Sequence, residues 1–245
     1  MNARRKLHAR YVLRWLLAAV WGASAFLTST HAQALPADAA EALAQAQRQA
    51  AAALIEYTHH APDRPLWIEA LRLGREAAET APTHPAPRRF LAQAYQQVGF
   101  YARAWEAWVA FRALGGSLDA VAERHLTEVA RWMGVAAYDG GRPIDSVEYF
   151  MAVLEFEPFD TVANERLART YLGLGEALRA RPYLEALAGS VPDLIDDLEH
   201  VRMLDAYGEV ATRAYEAGVA AAVAGDAATA LARYAEATRV APTFT

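Results

Sequence analysis

From Asp38 onward, apolar side chains recur three and four residues apart, and no stretch sustains the period-two alternation of branched residues that marks a strand. This spacing puts apolar groups on one side of successive helices. The first predicted helix runs from Asp38 to about Tyr57, with Leu43, Ala46, Ala50, Leu54 and Tyr57 on one face. Leu66 to Thr80 follows, burying Trp67, Ala70, Leu71, Gly74 and Ala77. Arg88–Val98 and Tyr101–Leu114 come next. The second of these carries Trp105, Trp108 and Phe111, an aromatic run that reads as core. Glu128–Tyr138 and Ile144–Phe156 form another pair. A further pair turns at Gly173-Leu174-Gly175, and Pro182, which fits a first helical turn, places the start of its second helix near Arg181. In the last pair Gly225 breaks the chain, Asp226 is a candidate N-cap and Pro242 stops the final helix.

The pairs share a frame. Ala211 to Thr245 holds the small residues Ala214, Ala217, Gly218 and Ala221, then Ala230, Tyr234 and Ala237, then Pro242. Upstream, Pro192 closes a copy with Leu167, Ala168, Tyr171, Gly175 and Ala180, where Leu184 and Leu187 replace the aromatic and the alanine. Pro158 closes another with Gly134, Ala137, Gly141 and Phe150, and lies 34 residues before Pro192. A fourth has Leu91, Ala92, Tyr95, Gly99 and Ala104, with Gly116 in the proline place; a partial fifth shows only Ala70, Ala77 and Pro82. This pattern resembles the tetratricopeptide repeat (TPR). The resemblance implies an all-α, right-handed superhelical solenoid of antiparallel helix pairs, with Ala168, Gly218 and Ala221 at close helix contacts. Repeats are expected at about 85–118, 127–160, 161–194 and 211–244, preceded by N-terminal helices and a partial repeat at 35–84. About eight extra residues around Leu118 to His125 lengthen one first helix. About 16 more follow Pro192, where Asp193, Asp196, Asp197, Glu199 and His200 read as a solvated acidic helix face.

Charge divides the chain. Met1 to Ala34 holds Arg4, Arg5, Lys6, Arg10 and Arg14 and no acid, then an apolar run of 13 residues from Trp15 to Leu27, then Ala32-Gln33-Ala34. That is the order of a cleaved secretory signal, and it predicts export to the periplasm or cell envelope with a mature start at Leu35. An uncleaved N-terminal anchor is the alternative. Residues 35–245 carry 19 arginines against 29 acidic residues, a net of −10, which disfavours nonspecific nucleic-acid binding. The absence of cysteine removes disulfides and thiolate chemistry.

No nucleophile motif, phosphate-cradling loop or metal-helix motif is present, and the pair His59-His60 has no further ligand at helical spacing nearby. No catalytic residue, metal or cofactor is expected. The resemblance instead implies a groove lined by the first helix of each repeat. Its positions fall on Ala86, Arg89, Gln93, Gln96 and Gln97; on Glu128, Arg131, Val135, Tyr138 and Asp139; on Val162, Glu165, Arg169, Leu172 and Gly173; and on Thr212, Tyr215, Val219, Ala222 and Val223. Arg89, Gln93, Gln96, Glu128, Arg131, Tyr138, Glu165, Arg169 and Tyr215 are the candidate contacts for a protein or peptide partner. The expected role is a non-enzymatic interaction scaffold. The other reading is an assembly subunit that stacks through its repeat ends, with self-association through the C-terminal repeat.

Overall fold

The computed structural model describes residues 34–187 and 190–243. Apart from Ala34, the expected signal segment lies outside the described residues. The rest is helical: α1 (Ala37–Glu56), α2 (Pro65–Thr80), α3 (Pro85–Gln97), α4 (Tyr101–Ala113), α5 (Ala120–Asp139), α6 (Pro143–Phe156), α7 (Thr161–Gly173), α8 (Ala177–Ala186), a 3-10 turn (Pro192–Leu194), α9 (Ile195–Val223) and α10 (Ala227–Val240). No strand occurs among the described residues. From α2 onward each helix packs on its chain neighbour, and α3 also touches α5 as α5 touches α7. This is the TPR-like, all-α architecture of stacked helix pairs.

One turn recurs within the pairs. Gly99, Gly141, Gly175 and Gly225 have φ of 79°, 75°, 71° and 80°, a left-handed conformation that a side chain would strain. The following N–H reaches back five residues in each: Phe100 to Tyr95, Arg142 to Ala137, Glu176 to Tyr171 and Asp226 to Ala221, at 2.8–2.9 Å. This Schellman geometry satisfies the last carbonyls of the preceding helix and reverses the chain.

Packing inside the pairs also repeats. A Cβ on Gly134 would stand 2.8 Å from the Phe150 ring, and one on Gly218 2.6 Å from Tyr234. Gly74 meets Phe90 at 2.6 Å in the same way, so α3 is the aromatic partner of α2 as well as the small-residue partner of α4. Trp67, Trp108 and Phe150 are wholly buried, each stabilising by about 2–3 kcal/mol through area removed from water. Trp105 is half-buried and meets Tyr149 edge-on with centroids 5.1 Å apart. Ala168 and Gly218 are buried as expected, whereas Ala221 is only half-buried.

Three local expectations are corrected. In α1 the buried stripe is Ala39, Ala42, Leu43, Ala46 and Ala53, not Leu54, which is half exposed. Seven residues on from Ala46 fall back to the same face, while eight overshoot it by roughly 80°. Helix α8 begins at Ala177, so Pro182 sits inside it. The proline leaves the carbonyl four residues back, on exposed Leu178, without its helical donor, and water is available there. The acids after Pro192 keep to the surface as expected, with Asp193, Asp196 and Glu199 exposed, but the segment is more than a solvated face: it opens α9, and Leu194, Leu198 and Val201 enter the core with Phe150, Leu167 and Leu184.

Helix α9 breaks at Gly208, whose φ of 80° and ψ of 166° are open to glycine. His200 Nδ1 contacts Glu216 Oε1 across the break. Sixteen residues of straight helix would hold these residues about 24 Å apart. The two halves, 195–207 and 209–223, therefore fold sharply back on each other, and the first is a helix additional to the repeat frame.

Candidate functional site

Helices α3, α5 and α7 carry all but one of the candidate contacts, and the structure ties these three helices together through them. On α3, Arg89 donates from Nη2 to Asp119 Oδ2 at 2.7 Å. Asp119 is also the N-cap of α5, its other oxygen accepting from Ala122 N at 2.9 Å. The next junction repeats the device: Arg131 Nη2 donates to Asp160 Oδ2 at 2.9 Å, and Asp160 Oδ1 caps α7 through Ala163 N at 2.7 Å. Arg131 also reaches Glu157. At the third junction Arg169 pairs with Glu165 of its own helix at 2.9 Å and with Asp193 in the 3-10 turn. An aspartate at a helix start thus holds the arginine of the preceding first helix, where the helix dipole already favours a negative charge.

The electrostatics follow from these contacts. Asp119 is held below the usual carboxylate range first by the Ala122 N–H and then by Arg89. Asp193 is lowered chiefly by its hydrogen bond from Arg169, whose own value is raised by Asp193 and Glu165. Buried Gln96 donates from Nε2 to Glu128 Oε2 at 2.8 Å, and its Oε1 lies 2.9 Å from His125 Nδ1, which must donate there. Burial lowers the pKa of His125, with Glu128 opposing and Arg124 and Arg89 adding smaller effects. Arg166 lies over the Tyr138 ring at 4.5 Å and beside Asp139 at 3.8 Å.

The repeat frame leaves these positions open to a partner, whereas in the structure most are committed to neighbouring repeats. Arg89, Arg131 and Arg169 keep about a third of their side-chain surface exposed, so each still has room for a further acceptor. Gln93 is half-buried on α3 between Arg89 and Gln96. Tyr138 and Arg169 line a cavity of about 360 Å³ together with Pro143, Ile144 and Leu174. The bridging partners Asp119, Asp160 and Asp193 were missed as site residues. Their sequence signal is an acid at the start of each following helix.

The C-terminal positions do not join this row. Tyr215 sits on the second half of α9 with its ring 5.6 Å from Tyr234 of α10. Thr212 is wholly buried, and its hydroxyl has no protein partner. It packs inside instead of lining a groove. Val219 and Val223 are exposed. Among the described residues no group of three or more histidine, aspartate or glutamate side chains is placed to hold a metal, and His60 packs edge-on against Trp67. No described helix is long and apolar enough to cross a membrane.

No family model matches the chain, and no curated protein matches it. Among solved structures it is similar to YrrB, described as a TPR protein with an unusual peptide-binding site, at 15% identity and a TM-score of 0.38, covering 84% of this chain and 88% of that one. It is similar to residues 41-end of MamA from Desulfovibrio magneticus RS-1 at 16% identity and a TM-score of 0.37, covering 86% and 99%. PilF of Pseudomonas aeruginosa matches at 19% identity and a TM-score of 0.30, covering 84% and 94%. The repeat assignment itself stands on the recurring turns and small-to-aromatic contacts of this chain.

Proposed function

We propose that the chain is a non-enzymatic protein–protein interaction scaffold, exported to the cell envelope, that holds a peptide segment of its partner along α3, α5 and α7. The observation that carries this reading is the cavity between Tyr138 and Arg169. Its apolar wall of Pro143, Ile144 and Leu174 fits one apolar side chain, and Arg169 at its edge fits a neighbouring carboxylate. Arg89, Gln93, Gln96, Glu128, Arg131 and Glu165 continue the row. A partner carboxylate there shares an arginine with a resident aspartate, which favours selective, exchangeable binding over tight binding.

The test is site-specific photo-crosslinking from Ile144 in the native envelope, with exposed Arg112 of α4 as the reference position. A heterologous protein captured from Ile144 and lost on Arg169→Glu supports the reading. Capture of a second copy alone favours the other reading, an assembly subunit stacked through its repeat ends. That alternative is motivated by Val210, Val223 and Leu231, which are 60%, 85% and 69% exposed on the last helix pair. Intact mass of the protein from its host tests export: a chain starting at Leu35 supports it, and a full-length chain in the membrane fraction supports the anchor.

A further inference from the structure

A second cavity, of about 380 Å³, opens where α2, α3 and α4 meet. Its α3 residues are Arg88, Leu91 and Tyr95. These recur at helical spacing on a face turned roughly 130° from Arg89, Gln93 and Gln96. The cavity therefore belongs to a different surface from the proposed groove.

Its lining is unusual for this chain. At least eleven of the nineteen arginines in residues 35–245 hold a carboxylate within 4 Å. Arg75, Arg88 and Arg103 all line this cavity, and no ion pair joins any of them to a carboxylate among the described residues. Glu79 and Glu106 also line it. They stand four residues after Arg75 and three after Arg103, spacings at which Arg181 pairs with Glu185 and Arg142 with Asp145 elsewhere. Here the charges stay apart. Arg103 is held instead over two rings, 5.8 Å from the Tyr95 centroid and 5.2 Å from that of Phe100. Buried Leu91 and Ala107 supply an apolar floor.

We propose that this cavity is a binding site for a small organic anion, a phosphate or carboxylate group carried on an apolar body. The three guanidinium groups supply planar, charge-assisted donors for the oxyanion. The floor of Leu91, Ala107 and the Tyr95 ring receives the apolar part. The volume falls within the range of small-molecule pockets, about 300–1,000 Å³. Two glutamates beside three arginines leave a local charge of +1, which suits a ligand with one or two charges and disfavours a polyanion.

The experiment is isothermal titration calorimetry of the full chain with phenyl phosphate and with inorganic phosphate. Phenyl phosphate is expected to bind more tightly than inorganic phosphate, and binding is expected to weaken with added salt. Arg88→Gln and Arg103→Gln should each lower the affinity by about tenfold or more, while Arg124→Gln and Arg169→Gln leave it unchanged. Circular dichroism melting of each variant confirms folding. Absence of binding, equal binding by the Arg88→Gln and Arg103→Gln variants, or inorganic phosphate binding as tightly as phenyl phosphate would overturn the proposal. An affinity lost on Arg169→Gln but kept on Arg88→Gln would also overturn it, by placing the anion in the groove.

Discussion

Gly134 against Phe150 and Gly218 against Tyr234 are the same contact, sixteen residues apart in each pair and closed by the same glycine turn. Their surroundings differ. Phe150 is wholly buried among Val153, Leu167, Tyr171, Leu184 and Val201 in a core that runs from α5 to the first half of α9. Tyr234 is only half-buried. The buried residues near it are Ala211, Thr212, Ala214, Gly218, Ala230 and Ala237, none of which belongs to that core. Geometry is therefore set by where glycine, alanine and one aromatic fall, and stability by how much side chain surrounds them. Alanine favours the helix but removes little apolar area from water. The arginine–aspartate bridges widen the contrast: they join α3, α5, α7 and the 3-10 turn, while His200–Glu216 is the pair that spans the break at Gly208.

The largest expected effect breaks the core side of this comparison. Phe150→Ala should destabilise the main unfolding transition by about 3–5 kcal/mol, measured by chemical denaturation. Tyr234→Ala, at the equivalent place, should cost less than half as much because its ring is already part-solvated. Next comes Gly134→Ala, which drives a Cβ into the Phe150 ring and should cost about 1–3 kcal/mol. Gly218→Ala makes the same clash, but Tyr234 can yield toward solvent, so a smaller loss of melting temperature is expected.

Much of this was legible in the sequence, and the reasons for the rest are physical. The turn glycines and the pairs Gly134/Phe150 and Gly218/Tyr234 are local features with a fixed spacing, so the helix pairs could be read directly. The Gly74/Phe90 contact has the same spacing and was hidden because α3 serves two neighbours at once. The bridges from Arg89 to Asp119 and from Arg131 to Asp160 span 30 and 29 residues. Such partners depend on how one pair is set against the next, which no single-repeat pattern encodes. Helix 195–207 carries no repeat signature, and its acids masked the apolar residues Leu198 and Val201. The second cavity was invisible because its three arginines come from three helices.

Smaller effects sharpen the role of the bridges. Asp160→Ala removes an N-cap and an arginine partner together and should cost about 1–2 kcal/mol. Asp226→Ala removes a cap on Thr229 N and a hydrogen bond from the Thr229 hydroxyl but no arginine partner, and should cost about 1 kcal/mol or less. Equal losses would show that the Arg131 bridge adds nothing. The smallest effect is in pH. His125 has a folded pKa below its unfolded value, so it contributes stability above about 6.5 that is lost as the pH falls through the folded value. His125→Gln should flatten the melting-temperature profile between about pH 7 and 5. The lowered carboxylates Asp119, Asp193 and Asp226 act in the same direction at lower pH: their contribution is present above about 4 and is lost below it.

Native-state hydrogen exchange of the full chain, read by mass spectrometry, tests most directly the claim that one frame holds two regions of different strength. Amides in α5 to α8 should exchange only through global opening. Amides of residues 209–240 should exchange at least about tenfold faster after correction for intrinsic rates, through opening of the last helix pair alone. Protection of 209–240 equal to that of α5 to α8 would contradict the account, because alanine packing would then hold that pair as firmly as the aromatic core holds the others.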